Sequence, residues 1–258
     1  LGIILAGGNS SRMQNLSEKR AISAMSVACS YRCIDFVLSN MTNSNIQTVA
    51  VLSQYNARSL NEHLNSSKWW NFGRKQGGLF LFTPTVTSDN SWWYRGTADA
   101  MWQNIDFLKK RHEPYVVIAS GDCVSKMDFN KILEYHIAKQ SDITVVCAKL
   151  PEWEDPKRFG VVKMDMEGKI IEFEEKPMVA GSDIVSTGVY VIRRRTLIEL
   201  LEQSNEEGRY NFVTDVLIRQ KGLKKIYGYM LDGYWSNIAS VDSYYRTNMD
   251  FLKKDIRD

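Results

Sequence analysis

No apolar run in the sequence approaches the ~20 residues that a bilayer-crossing helix needs, so a membrane role is not expected. Charge of one sign is not in excess either. There are 33 Lys and Arg against 30 Asp and Glu, a formal net charge of +3. With no basic stripe, nucleic acid is not an expected partner. The four cysteines, Cys29, Cys33, Cys123 and Cys147, form no C-x-x-C pair, and the three histidines, His63, His112 and His136, lie far apart. The spacing that zinc requires is therefore missing, and reduced thiols in a cytoplasmic compartment are expected. Signal-peptide patterns, Pro-rich linkers, low-complexity tracts and internal repeats are also lacking. The chain opens inside an apparent strand, Leu1-Gly2-Ile3-Ile4-Leu5, without an initiator Met, so a few residues are expected ahead of it.

What is present is the make-up of a globular protein. The 258 residues are 44% hydrophobic and 24% charged, enough to bury a sizeable core. Short β-rich runs at 2–6, 48–52, 115–120 and 143–149 alternate with helical patterns at 34–44, 57–64, 98–111 and 129–139. That alternation predicts an α/β fold: a Rossmann-like, mostly parallel mixed sheet with helices on both faces. After residue 150 the pattern changes. Runs 161–164 and 170–173 read as a hairpin turning at Glu167-Gly168. A strand at 188–192, a helix at 195–204 and a helix at 212–221 follow. The segment 65–95, rich in Trp, Gly, Ser and Thr, reads as a long functional loop. One domain over 1–258 is expected, with halves at about 1–150 and 151–258.

Five features carry possible chemistry. Strand 2–6 runs into Ala6-Gly7-Gly8-Asn9-Ser10-Ser11-Arg12. Glycines there let the backbone approach a phosphate closely, and Arg12 adds a guanidinium that can grip it with two N–H groups. The turn is neither G-x-G-x-x-G nor a Walker A, and a ligand-free β–α turn is the alternative. Asp122 follows an apolar strand, where a parallel sheet places ligand-binding groups. It suits Mg²⁺ or, alternatively, a turn or helix cap. In Phe173-Glu174-Glu175-Lys176-Pro177, the proline holds Lys176 extended, as suits a cation aimed at a sugar phosphate; a solvated charge run is the alternative. Gly96-Thr97-Ala98-Asp99 offers Thr97 as a helix cap. Gly233-Tyr234-Trp235-Ser236-Asn237-Ile238 sets an aromatic platform before an amide, or simply fills a core.

In this order, these motifs resemble the glucose-1-phosphate adenylyltransferase family over nearly the whole chain. The more specific stretches are Tyr31-Arg32-Cys33-Ile34-Asp35-Phe36-Val37-Leu38-Ser39-Asn40, Trp93-Tyr94-Arg95-Gly96-Thr97-Ala98-Asp99-Ala100 and Ser243-Tyr244-Tyr245-Arg246-Thr247-Asn248-Met249-Asp250. The resemblance implies a single nucleotidyltransferase domain that joins ATP and glucose 1-phosphate into ADP-glucose and pyrophosphate, for glycogen biosynthesis. It implies that Ala6, Gly7, Gly8 and Arg12 embrace the ATP phosphates. Gln54 and Gly96, Thr97, Ala98 and Asp99 would line the nucleotide site, and Asp122 would hold Mg²⁺. Glu175 and Lys176 would clamp glucose 1-phosphate, with Ser186, Gly188 and Trp235 near the sugar. The family's C-terminal parallel β-helix is expected to be absent from this chain, which stops at Asp258.

The chain departs from the family pattern on the metal and triphosphate side. The lysine of Arg-Ala-Lys-Pro-Ala is Ile22, the aspartate of Trp-x-Asp-Val-Gly-Thr is Asn237, and the histidine after the metal aspartate is Cys123. Losing one charged transition-state contact commonly costs ~3 kcal/mol or more. The sequence therefore points to a weakly or non-catalytic regulatory subunit, similar to the second subunit that some bacteria pair with an active one. Its expected partner is a catalytic homologue in a tetrameric hetero-oligomer, with Mg²⁺ needed only if the chain turns over. An active enzyme on its own, and a sugar-phosphate sensor or scaffold without turnover, remain the alternatives. An Ile22→Lys, Asn237→Asp pair is expected to raise the rate if the site is merely degenerate.

Overall fold

Aliphatic runs become strands here, and stretches with apolar residues every three or four positions become helices. The computed structural model describes every residue except 9–10, 66–69, 71, 73–76, 86–92 and 258. In chain order the elements are β1 (Gly2–Leu5), β2 (Ser26–Val27), β3 (Tyr31–Arg32), α1 (Cys33–Asn43), β4 (Thr48–Leu52), α2 (Arg58–Leu64), β5 (Gly78–Phe82), α3 (Thr97–Trp102), α4 (Ile105–Lys109), β6 (Tyr115–Ser120) and β7 (Cys123–Ser125). There follow α5 (Phe129–Ala138), β8 (Ile143–Lys149), β9 (Gly160–Met164), β10 (Ile170–Glu175), β11 (Ile184–Arg193), α6 (Arg194–Glu206), β12 (Ile226–Met230), β13 (Trp235–Asn237), α7 (Val241–Asp250) and α8 (Lys254–Arg257). Among the described residues, no helix is long and apolar enough to cross a membrane.

The chain forms two compact units. The first comprises Leu1–Thr83, Ala119–Phe129 and Gly233–Asp258; the second comprises Pro84–Ile118 and Asn130–Asp232. In the first, β1 pairs in parallel with β4, from Gly2↔Val49 to Leu5↔Leu52, and β4 pairs in parallel with β5. Parallel strands are covered on both faces, so near-continuous apolar runs suit them, and Ile3, Ile4, Val49 and Val51 are buried. Buried polar groups tie the helices in. The Asn40 amide donates to Ser125 O at 3.0 Å and its Oδ1 accepts from Met127 N–H at 3.2 Å, joining α1 to the β7 segment. Asp35, in the first turn of α1, accepts from Arg32 N–H at 2.8 Å and from His63 Nε2 of α2 at 2.6 Å.

In the second unit the strands run β10-β9-β11-β8-β12, antiparallel except for the parallel β8–β12 pair. The expected hairpin is β9–β10, closed by Gly168 N–H to Asp165 O at 3.1 Å with Gly168 at φ +85°. The strand expected at 188–192 extends from Ile184 to Arg193 and carries a bulge between Ser186 and Val189.

Three expectations from sequence need correction. The helix expected over 98–111 is broken into α3 and α4, because Asn104 turns its amide onto Ala100 O at 2.8 Å and onto the Tyr94 hydroxyl at 3.0 Å. Such side-chain bonding to the backbone competes with helix continuation. The helix expected over 212–221 is one π-helical turn, Phe212–Leu217, followed by a 3₁₀ turn, Ile218–Gln220. There the Asp215 carboxylate folds back onto the amides of Tyr210 and Asn211. The segment 65–95 is not all loop, since the apolar run Gly78–Phe82 pairs with β4 as β5. Much of the remainder lies outside the described residues.

His136 on α5 is 1% exposed. Its Nδ1 lies 2.8 Å from Thr144 Oγ1, its Nε2 has no hydrogen-bond partner among the described residues, and its ring meets Tyr115 edge-on. Burial, then the Arg193 charge, lowers its pKa from 6.5 to about 4. The unfolded chain thus protonates near pH 6.5 and the fold only near 4. Stability held by the neutral ring is whole above pH 6.5 and is lost as pH falls toward 4. Denaturant melts from pH 7 to 4 should show a loss on the order of 3 kcal/mol that is missing from a His136→Phe variant. A variant with the parent's pH slope contradicts this.

Candidate active site

Strands β1 and β4 stop with backbone groups that the ladder no longer pairs, and the following residues take them up. Ala6 N–H donates to Leu52 O at 2.8 Å, Gly121 N–H to Leu5 O at 2.9 Å, and Ser53 N–H to Phe82 O at 2.9 Å. These bonds gather Ala6-Gly7, Ser53-Gln54 and Gly121-Asp122 at the carboxyl ends of parallel strands, where such sheets bind ligands. Gly7 lies against Gln54, whose N and Cβ would be 3.5 Å from an added Cβ. Among the described residues, an added Cβ at Gly8 would meet nothing within 4 Å, so packing among them gives no reason for glycine there. Arg12 is exposed on the 3₁₀ stretch Ser11–Ser17. Asn9 and Ser10 of the same turn lie outside the described residues.

Asp122 and Asn237, far apart in sequence, become neighbours through the β7–β13 ladder. Asn237 pairs with Cys123, Trp235 pairs with Ser125, and Ile238 N–H donates to Asp122 O at 3.0 Å. Asp122 caps no helix: its Oδ1 accepts from the Ser120 hydroxyl at 2.5 Å and from the Cys123 thiol at 3.5 Å. Asn237 accepts from Ala239 N–H at 3.0 Å and donates its amide to Cys123 Sγ at 3.5 Å. Two of the positions where the chain leaves the family pattern therefore bond to each other. Burial, and then the Asp122 charge, pushes the Cys123 thiol well up. Burial pushes Cys33 up as well, helped by Cys123 and Asp122, so both thiols stay neutral.

The third such position closes the same patch. Ile22 is 4% exposed, in an apolar cluster with Met13, Met25, Val27, Cys33, Val124 and Ile238. Val124 and Ile238 are the chain neighbours of Cys123 and Asn237. Mg²⁺ prefers hard anionic oxygens in near-octahedral geometry. Here Asp122 is the one carboxylate at the ladder, beside a neutral amide whose oxygen is already bonded and a protonated thiol. Among the described residues, no three His, Cys, Asp or Glu side chains come together to hold a metal. The donor set does not fit a cage of two carboxylates.

The second unit brings the expected Glu175, Lys176, Ser186 and Gly188 to one end of its sheet. β9 lies between β10 and β11, with Val161 paired to Glu174 on one side and to Val185 on the other. Both outer strands run antiparallel to β9, so Glu175 and Ser186 stand level, about 10 Å apart across two strand spacings. Gly188, at φ +76°, forms the bulge that follows; bulges re-aim side chains near binding sites. The Ser186 hydroxyl donates to the Tyr190 hydroxyl at 3.1 Å. Burial raises the Glu175 carboxyl, against the lowering effect of Lys176, whose Nζ lies 3.5 Å from Glu175 Oε1. Lys176 is not extended as its place before Pro177 predicts. It has φ +48°, in the left-handed region, held by its N–H donating to Phe159 O at 3.0 Å as the chain leaves β10. A non-glycine residue there is strained.

Gly96 to Asp99 also lie in the second unit, at the start of α3. Thr97 does not cap that helix; its hydroxyl accepts from Phe212 N–H at 2.9 Å. Asp99 is 2% exposed. Its carboxylate takes the Arg95 guanidinium at 2.8 Å, the Arg95 N–H at 2.8 Å and the Gln103 amide at 2.9 Å. Sequence reasoning missed Ser120, Tyr210 and Asp215, which support these residues. Ser120 lay two positions from Asp122 and could have been noticed. Tyr210 and Asp215 meet α3 only through the fold.

Residues 1–254 match the nucleotidyl transferase family model, and the chain belongs to that family. Relatives within it include glucose-1-phosphate adenylyltransferases. That of Thermosipho africanus is 38% identical over 257 residues, covering 98% of this chain and 62% of the relative. That of Desulfitobacterium hafniense is 38% identical over 259 residues (99% and 65%), and that of Bacillus cereus is 38% identical over 257 (98% and 68%). The chain thus spans roughly three fifths to two thirds of the length of these curated relatives. A Bacillus anthracis crystal structure described as a glucose-1-phosphate thymidylyltransferase in complex with a sucrose has the same fold. Its TM-score is 0.78 at 21% identity, covering 96% of this chain and 93% of that one. The Rossmann-like, mixed α/β fold expected from sequence is the fold of this family.

The packing of Ile22 bears on restoring charge. A lysine there would bury an ammonium among methionine, valine and isoleucine with no partner in the cluster. Ile22→Lys alone should lower unfolding free energy by about 3 kcal/mol or more, measured by urea denaturation. A variant as stable as the parent would show that the side chain escapes to solvent.

Proposed function

We propose that this chain is a sugar-phosphate-binding, weakly or non-catalytic subunit of a glucose-1-phosphate adenylyltransferase, serving glycogen biosynthesis in the cytoplasm beside a catalytic homologue. The hetero-oligomer is a tetramer in this reading. One observation carries it: Ile22, Asn237 and Cys123, where the family pattern has lysine, aspartate and histidine, belong to a single neutral, closely packed patch around Asp122.

The reaction itself is an in-line attack by the sugar-phosphate oxygen on the α-phosphate of ATP, with pyrophosphate leaving. It depends on positioning and on neutralising charge that develops on the phosphates. Gly7 and Gly8 supply backbone N–H groups, as glycines allow close approach to a phosphate. Arg12 supplies one cation. Lys176 neutralises the sugar phosphate, Glu175 and Ser186 orient the sugar hydroxyls, and Gly188 lets the chain come close to them. Trp235 offers an aromatic face. Asp122, with Oδ1 engaged by Ser120, is the carboxylate that would hold Mg²⁺. Binding is therefore supported better than turnover.

The reading that this chain is active alone draws on that same carboxylate, since Mg²⁺ can be held by one carboxylate together with substrate phosphates. The sensor reading differs only in lacking a catalytic partner. Mixing the purified chain with a catalytic adenylyltransferase subunit separates the subunit reading from the other two, and assaying the chain alone separates those two from each other. Co-elution as one particle, with a changed rate of ADP-glucose synthesis per catalytic subunit, is expected; separate elution with unchanged rate sinks the subunit reading. Lys176→Ala should weaken glucose 1-phosphate binding at least tenfold, the order expected for one charge-assisted contact of about 1.5–3 kcal/mol. Unchanged calorimetric affinity would remove Lys176 from the clamp.

A further inference from the structure

Helix α3 begins with N–H groups that no helical carbonyl can reach. In many phosphate-binding proteins such groups face the ligand. Here two of them are already used. The Tyr210 carbonyl accepts from Ala98 N–H at 2.8 Å and from Asp99 N–H at 3.2 Å. Gly96 makes this approach possible: an added Cβ would overlap the Tyr210 carbonyl oxygen and lie 2.7 Å from its carbon. The Arg95 guanidinium lies 3.8 Å above the Tyr210 ring and donates to the Tyr210 hydroxyl at 2.8 Å, while its other arm holds Asp99. Phe212 N–H closes the row on the Thr97 hydroxyl.

The stretch Tyr210–Asn211, which leads into the π-helical turn, is itself fixed by one side chain. Asp215 Oδ2 accepts from Asn211 N–H at 2.9 Å and from Tyr210 N–H at 3.1 Å, while Oδ1 accepts from the Thr214 hydroxyl at 3.2 Å. Burial acts to raise the Asp215 carboxyl, but the Asn211 and Tyr210 amides, the Thr214 hydroxyl and the Arg219 charge hold it below the usual range. The acceptor is thus ionised at neutral pH. A carboxylate that orients the Tyr210 peptide also sets where the Tyr210 carbonyl points, and that carbonyl sets the start of α3.

We infer that Tyr210 and Asp215 are positioning residues for the nucleotide-binding stretch Gly96–Asp99, which in this chain is shaped by the segment 210–215. Asp99 serves as an internal brace, with both its oxygens taken by Arg95 and Gln103. The inference rests on the reading that Gly96–Asp99 meets the nucleotide. It adds that the fit to the nucleotide is governed by residues more than 100 positions further along the chain.

The test compares Asp215→Ala, Asp215→Asn and Tyr210→Phe in the full chain. ATP affinity, glucose 1-phosphate affinity and amide hydrogen exchange at Ala98 and Asp99 are measured on the same samples. Asp215→Ala should weaken ATP binding about tenfold and speed exchange at both amides, leaving glucose 1-phosphate affinity unchanged. Asp215→Asn, which keeps one oxygen for the two N–H groups, should stay near the parent; Tyr210→Phe, which loses only the bond to Arg95, should fall between. Equal weakening of both ligands, or faster exchange with parental ATP affinity, overturns the positioning role and leaves the nucleotide reading intact. A parent chain that binds no ATP overturns the nucleotide reading, and the positioning role with it. Should Asp215→Ala fail to fold, Tyr210→Phe decides alone: parental ATP affinity in that variant overturns the inference.

Discussion

A parallel strand that ends leaves backbone groups without partners, and the first unit is organised around meeting that constraint. Ala6 takes the Leu52 carbonyl, Gly121 takes that of Leu5, and Ser53 takes that of Phe82. Each bond pulls the residues just beyond a strand into register with the next strand's end. Gly121 can do so because it fits against Ala6, Ile4 and the Leu5 carbonyl, each 3.3 Å from where a Cβ would stand. The consequence is chemical. Gly7, Gln54 and Asp122 come together because their neighbours share a hydrogen-bonding problem, and what the cluster can do depends on which side chains those positions carry.

Those side chains describe a set of coupled losses. A lone change of aspartate to asparagine would leave a metal site short by one charge. Here the asparagine amide donates to a thiol that burial, and then the Asp122 charge, keep protonated, and isoleucine fills the space beside both strands. Each neutral residue makes its neighbour's neutrality less costly, since a charge returned at one position would have no partner at the others. Reversal one residue at a time is therefore opposed by packing, and the Ile22→Lys, Asn237→Asp pair expected from sequence to restore rate leaves Cys123 and the apolar cluster in place. Lys176 and Glu175 in the second unit lie outside this pattern. They keep the opposite charges that the proposed sugar-phosphate clamp needs, with Lys176 kept in a strained left-handed conformation.

Much of the fold was readable in advance where burial is strong on both faces. Strands β4, β6 and β8 fall on the expected residues because aliphatic runs bounded by polar residues have few other uses. Elements whose existence depends on a distant partner were not readable. β7 and β13 are three residues each and are strands only because they pair with one another. The break at Asn104 and the π turn at Phe212 each come from one side chain choosing a backbone partner, which helical periodicity does not register. The expected site residues were named from motif order. The left-handed Lys176, the consumed Asp99 carboxylate and the support from Tyr210 and Asp215 came only with the folded chain, because the bonds involved are set by tertiary approach.

In the proposed function the neutral patch around Asp122 removes the chemistry while the sugar-phosphate clamp persists. The most direct measurement is the rate of ADP-glucose formation by the purified chain alone, at saturating ATP, Mg²⁺ and glucose 1-phosphate, beside a catalytic relative. Each lost transition-state contact commonly costs a factor of about 10² to 10³, so the chain is expected to run at least about a thousandfold slower. A rate within about tenfold of the relative's would contradict the account.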